Sequence, residues 1–176
     1  MEKRAQAPLH HMIRHATDCD IATITSIYNE AVADGGFTGD ITPVTIESRA
    51  AWHTEHRHGY AIFVIEIAAV VAGYVAISPY RKSREAFGET CEVSYYVARA
   101  HRYRGVGRQL LSHALEHAST SGFRVMVAIL LGSNERSVKL LAHFGFSECG
   151  RIPEAACIDG KHVDHLYMSR RVMEQG

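Results

Sequence analysis

The stretch Val93–Ala118, VSYYVARAHRYRGVGRQLLSHALEHA, changes period halfway along its length. Its first residues alternate and are rich in β-branched and aromatic side chains, which is the pattern of a strand. Its last part repeats apolar residues every three or four positions. Val106, Leu110, Leu111, Ala114, Leu115 and Ala118 share one face of an amphipathic helix, and Gly122 ends it. Between strand and helix lies Arg102-Tyr103-Arg104-Gly105-Val106-Gly107. A helix start exposes free N–H groups and about half a unit of positive charge. Glycines there let an anion approach the backbone, and Arg102, Arg104 and Arg108 add charge nearby.

The ligand predicted from this loop is a pyrophosphate-bearing cofactor. The loop is neither G-x-x-x-x-G-K-[ST] nor the dinucleotide G-x-G-x-x-G. By itself it also reads as a basic turn in which Gly105 relieves close packing, so context has to decide.

Working outward, the elements alternate in kind. "MIRHA" from Met12 is a short strand. Thr17 or Asp18 caps a helix to about Asp34, with Ile21, Ile24, Ile27, Tyr28, Ala31 and Val32 on one face. Thr45 caps a second helix to about His58, with Ile46, Ala50 and Trp52 as packing candidates. Tyr60–Ile67 and Val70–Ser78 read as two strands joined by a tight turn that is not Asn-Gly. A polar loop with three basic residues, PYRKSREAFGE, precedes the strand TCEVSYYVA. Beyond the central helix, FRVMVAILL is a buried strand, Asn134 or Ser133 caps a helix through His143, and two closing strands flank the Asp159-Gly160 turn. The order is β α α β β β α β α β β. Residues 1–11 lack periodicity and read as a flexible extension, leaving 12–176 as a single domain.

Bulk numbers narrow the function. Lys+Arg and Asp+Glu number 19 each, so the chain lacks the basic excess of a general nucleic-acid or membrane-surface binder. The longest apolar run, Ala61–Val75, is interrupted by Glu66 and Gly73, so no membrane span is expected. The four cysteines, Cys19, Cys91, Cys149 and Cys157, are scattered and read as reduced thiols of a cytoplasmic protein. Twelve histidines raise the question of metal, with His53, His56 and His58 in one group and His162, Asp164 and His165 in another. Neither has a recognised ligand spacing, so solvated polar residues are the expectation and no metal is predicted.

The whole arrangement from Met12 onward resembles the GNAT acyltransferase superfamily, whose Arg/Gln-x-x-Gly-x-Gly/Ala loop holds the pyrophosphate of acetyl-CoA. Within it, the chain is similar to the phosphinothricin and methionine-derivative N-acetyltransferases. The shared residues are Ile27–Val32, Trp52 and His56, Gly73-Tyr74, Arg84, Ala86-Phe87, Thr90, Glu92 and Tyr96-Val97, then Asn134, Ser137, Gly145-Phe146 and Asp164.

The resemblance implies a GNAT fold of the α/β (α+β) class, a mixed, mostly antiparallel sheet of about seven strands flanked by about four helices. It implies that Tyr95, Tyr96 and Val97 lie along the pantetheine arm where the strand parts from its neighbour. A backbone N–H near Val97 would polarise the thioester carbonyl. Arg102, Tyr103, Arg104, Gly105, Val106 and Gly107 would hold the pyrophosphate, and Asn134 would bind near the thiol end. Glu92 would be the general base, since an attacking amine must be neutral. Arg84 and Phe87 would bind the acceptor, the arginine by pairing with a carboxylate. The acceptor is a small-molecule amine, and a homodimer is implied.

Some positions depart from the subgroup. Leu141 stands where it has His or Tyr to protonate the departing thiolate, so either Tyr96 or water is expected to serve, or the thiolate leaves unassisted. Gly39-Asp40-Ile41-Thr42-Pro43 lacks the usual aromatic and Glu, and Cys157 and His162 replace aromatics near the C-terminus. These substitutions keep two alternatives open: acetyl transfer to a polyamine, aminoglycoside or peptide amine, or a catalytically weak acetyl-CoA-binding module.

Overall fold

The computed structural model describes residues 11–56 and 58–172, and everything below refers to those residues. Its elements follow the order read from the sequence: β1 (His11–His15), α1 (Ile21–Asp34), α2 (Ile46–Thr54), β2 (Ala61–Ile67), β3 (Val70–Pro79), β4 (Thr90–Val97), α3 (Val106–Thr120), β5 (Val125–Leu131), α4 (Glu135–His143), β6 (Ser147–Ile158) and β7 (Lys161–Arg171). The seven strands form one sheet in the order β1-β2-β3-β4-β5-β7-β6. Only β4 and β5 run parallel, and α3 makes the crossover between them.

Strands β2 and β3 read as almost continuous apolar runs because both of their faces are covered. Ile62, Val64, Tyr74 and Ala76 pack against α1, with Trp52 of α2 beside them. Phe63, Ile65, Val75 and Ile77 point the other way, into a cluster with Leu110, Leu111 and Ala114 of α3 and Leu141 of α4. Period-two alternation therefore sends neighbouring residues into two separate cores.

Local chemistry explains the element ends. Thr17 and Asp20 form a reciprocal capping box ahead of α1, and the Thr17 N–H donates to Asp20 Oδ2 at 2.8 Å. Thr45 Oγ1 accepts from the Ser48 N–H, and Asn134 Oδ1 from the Ser137 N–H, each at 3.2 Å. All six residues placed on the inner face of α3 are buried. The β6–β7 turn has positive φ at both Asp159 and Gly160, as its Asp-Gly sequence favours.

Four expectations need correction. The second helix stops at Thr54 rather than near His58, and Ile46 at its start is exposed rather than packed. His11, assigned to the extension, is already in β1, where its ring hydrogen-bonds Gln109 of α3 at 3.0 Å; residues 1–10 lie outside those described. Tyr60 precedes β2 instead of opening it.

Candidate active site

The parallel pair β4–β5 is short. Thr90, Cys91 and Glu92 pair with Val125, Met126 and Val127, and the pairing ends there. Beyond it β4 continues against β3 as far as Val97, while β5 continues against β7 as far as Leu131. The two strands diverge into a cleft with Glu92 at its apex.

Alternation shows what the cleft offers. The Ala98 N–H donates to Ala72 O of β3 at 2.9 Å. The N–H and C=O groups of Val97 and Tyr95 therefore turn to the opposite side, where β5 has departed. The Val97 carbonyl is taken by Arg102 Nε at 3.1 Å. The Val97 N–H is left as a donor facing the cleft, which fits the expected thioester contact. Such unpaired strand groups are what an amide-rich pantetheine arm can bind.

At the wide end, Gly105 has φ +79 and stands as the N-cap of α3. No atom lies within 4 Å of the place a Cβ would occupy, so a phosphate can approach the backbone closely. The first intrahelical donor is Gln109, whose N–H bonds Gly105 O, leaving the N–H groups of Val106, Gly107 and Arg108 unused by the helix. Val106, Gly107 and Arg108 border a cavity of about 250 Å³ together with Tyr95, Tyr96, Val97, Arg102, Tyr103, Gly105 and Asn134. Nine of the ten residues expected to bind the cofactor line this one cavity; Arg104 stands exposed beside it.

Two of them have further roles. Arg102 is largely buried, and its guanidinium pairs with Asp34 at the end of α1 and lies over Phe37. It braces the loop against α1 instead of standing free, leaving Arg104 and Arg108, which have no ion pair among the described residues, as the mobile cations. Tyr103, at φ +65, is stacked under the Arg136 guanidinium at 3.9 Å. Asn134 caps α4 with its carbonyl oxygen while lining the cavity.

Glu92 is half-buried and belongs to a second cavity of about 260 Å³ on the α1–α2 face. Burial raises its pKa above the ordinary glutamate value. Ser94 and Tyr96 follow it on the same strand face, and Tyr28, Arg49, Trp52, Tyr74 and His165 are among the other residues of the wall. Tyr96 borders both cavities. Its phenol is packed against the rings of Tyr28 and Tyr74, and burial holds its pKa well above that of a free tyrosine.

The loop residues expected to bind the acceptor are elsewhere. Arg84 precedes a short 3-10 turn and Phe87 ends it, both exposed, and neither borders the Glu92 cavity; Phe87 packs edge-on to Tyr80 at 5.8 Å. The cation facing the cavity is Arg49 of α2, a residue that no sequence motif singles out. His165, which in the sequence stands out only as a member of the His162-Asp164-His165 group, lines the same cavity. Among the described residues no three His, Cys, Asp or Glu side chains converge as a metal site. Leu141 is 1% exposed in the larger core, so the position of the missing proton donor serves packing here. Asp164 accepts from Arg151 and from the Glu154 N–H, which fastens the irregular part of β6 to β7.

Comparison with known proteins agrees with this geometry. Residues 24–146 match the model of the acetyltransferase (GNAT) family. The chain is 37% identical over 158 residues to the L-methionine sulfoximine/L-methionine sulfone acetyltransferase of Pseudomonas aeruginosa, covering 89% of this chain and 91% of that protein. It is 33% identical over 164 residues to the L-amino acid N-acyltransferase MnaT of Escherichia coli, covering 93% and 95%. The crystal structure of a GNAT superfamily phosphinothricin acetyltransferase from Sinorhizobium meliloti, in complex with AcCoA, superposes with a TM-score of 0.86 at 30% identity, covering 92% of this chain and 88% of that one. A strand pair that splits at a carboxylate, a glycine-opened helix start facing the split, and a family match across two thirds of the residues lead to one assignment: the chain belongs to the GNAT family of acetyltransferases.

Proposed function

We propose that this acetyltransferase uses acetyl-CoA to acetylate the primary amine of a small amino acid or amino-acid analogue, of the methionine sulfone, methionine sulfoximine or phosphinothricin kind. The observation that carries the reading is the position of Glu92, at the point where the cofactor cleft opens and inside the adjoining cavity. In this reading the pyrophosphate sits on the Val106–Arg108 N–H groups with Arg104 and Arg108 beside it. The pantetheine arm runs along Tyr95–Val97, and the Val97 N–H donates to the thioester oxygen. Glu92 takes a proton from the ammonium group, directly or through water. The neutral nitrogen attacks the thioester carbon to give a tetrahedral intermediate; as it collapses the C–S bond breaks, the Tyr96 phenol protonates the leaving thiolate, and the second proton shed by the nitrogen passes through water to restore the phenol, while Glu92 releases its proton to solvent. The products are an N-acetyl amide and free coenzyme A.

Substrate size supports the small-acceptor reading: about 260 Å³ is below the ~300–1,000 Å³ of pockets for drug-sized ligands. Relatives named for amino acids and their analogues support the class. The same reading takes the enzyme to be a homodimer, which light scattering would check.

The test is thiol release from acetyl-CoA over a panel of methionine sulfone, methionine sulfoximine, phosphinothricin, common amino acids, polyamines and short peptides, with Glu92→Gln alongside. The expected result is turnover of a free amino-acid analogue, reduced about 10²- to 10⁴-fold in the variant. Its kcat/KM should rise with pH along a limb lying above the usual glutamate range, because burial raises the Glu92 pKa. Turnover confined to polyamines or peptides would remove the amino-acid assignment. Acetyl-CoA binding without any turnover would favour a binding module.

A further inference from the structure

Among the described residues, the cavity that holds Glu92 is lined by one arginine, and that arginine has no acidic partner. Arg49 projects from α2 with its guanidinium carbon 3.7 Å from the centre of the Tyr28 ring and 4.9 Å from that of Trp52. No carboxylate lies within ion-pair distance of it among the described residues, and its Nε is buried without a hydrogen-bond acceptor. The nearby acid, Asp40, accepts the Tyr28 hydroxyl instead. A second buried group in the same wall, the Tyr74 hydroxyl, also lacks a partner, although Tyr74 is fully buried. Buried polar atoms left unpaired cost on the order of 1–3 kcal/mol each, so two in one small cavity mark a site that a ligand completes.

The charges are arranged as a zwitterion would need them. Glu92 attracts an ammonium group; Arg49 attracts an anion; the rings of Tyr28, Trp52, Tyr74 and Tyr96 form part of the wall around them, with His165 also lining it. We propose that Arg49, rather than Arg84, is the residue that binds the acceptor's carboxylate, and that Tyr74 donates a hydrogen bond to the same group. Ring stacking holds the guanidinium plane in place, so little side-chain freedom remains to be lost when the pair forms. The same cation repels polyamines. This inference rests on the amino-acid acceptor proposed above.

The experiment compares methionine sulfone with its carboxamide, which keeps the amine and loses the anion. Wild type, Arg49→Gln, Arg49→Lys and Arg84→Gln are assayed by thiol release with both compounds. Removing a charge-assisted pair should lower kcat/KM for the acid about 10- to 100-fold in Arg49→Gln, while the carboxamide changes less than about threefold. Arg49→Lys should recover part of the preference for the acid. Arg84→Gln should leave that preference intact. The KM for acetyl-CoA, unchanged within about twofold, shows that each variant is folded. Equal losses on acid and carboxamide in Arg49→Gln, or loss of the preference in Arg84→Gln instead, would overturn the assignment. Wild-type turnover of polyamines alone would overturn this inference and the amino-acid reading together, whereas wild-type turnover of methionine sulfone with an indifferent Arg49→Gln would remove only this one.

Discussion

Gly73→Ala is the substitution that tests the cleft most directly. Gly73 sits in β3 opposite Val97, behind the part of β4 that leaves β5. A Cβ there would stand 2.7 Å from the backbone oxygen of Tyr96, 3.2 Å from Leu110 Cδ1 and 3.3 Å from Val106 Cγ1. The two side chains can yield by a few tenths of an ångström. The Tyr96 oxygen cannot swing away, because it belongs to the β3–β4 ladder, so β4 itself must move. Overpacking a filled core costs about 1–3 kcal/mol, and contact with backbone puts this site in the upper part of that range. Replacing glycine returns roughly 0.4–1 kcal/mol through the unfolded chain. The net loss is about 2 kcal/mol, or a fall of about 4–8 °C in Tm for a chain of this size. The displaced segment is also the one that would carry the pantetheine arm, so the KM for acetyl-CoA should rise severalfold. Thermal and urea unfolding give the first quantity and thiol-release kinetics the second. Gly105→Ala is the control: it has open space but φ +79, so backbone strain alone should cost about 1 kcal/mol. If Gly73→Ala unfolded within 0.5 kcal/mol of wild type, with an unchanged KM for acetyl-CoA, the account of why this position is glycine would be wrong.

Two other predictions concern stability. The β2–β3 turn is made by Ala68 and Ala69, both at positive φ, where L-residues other than Asn, Asp and Gly are strained. Changing the pair to Asn-Gly should raise stability by about 1–2 kcal/mol in urea unfolding without altering kcat. His56 and His113 have pKa values lowered first of all by burial, so the folded state resists their protonation. Above the unfolded value of about 6.5 both are neutral in either state; as pH falls below it, the unfolded chain binds protons that the folded chain does not, and stability drops. Urea midpoints between pH 7.5 and 5 should fall less steeply in His113→Gln than in wild type.

Much of this architecture is written locally in the chain. The order of eleven elements, the buried face of α3, the caps at Thr17, Thr45 and Asn134, and the glycine-opened loop before α3 all follow from periodicity and turn chemistry within a few residues. That is why the loop from Arg102 to Gly107 could be picked out as a candidate cofactor site with no coordinates. The cavity around Glu92 could not. Arg49 looks like any polar residue of a short helix until α2 is laid over the sheet and its guanidinium comes over the rings of Tyr28 and Trp52. Arg102 looks like a free phosphate ligand until the end of α1, 68 residues earlier, brings Asp34 to it. Arg84 and Phe87 look like acceptor ligands by their place before β4, yet their loop leaves them exposed. Local pattern reports which face of an element is apolar; it does not report which distant polar groups share a cavity. That is decided by how the layers pack, and above all by the early end of the β4–β5 pairing at Glu92 and Val127, which no residue in either strand announces by itself.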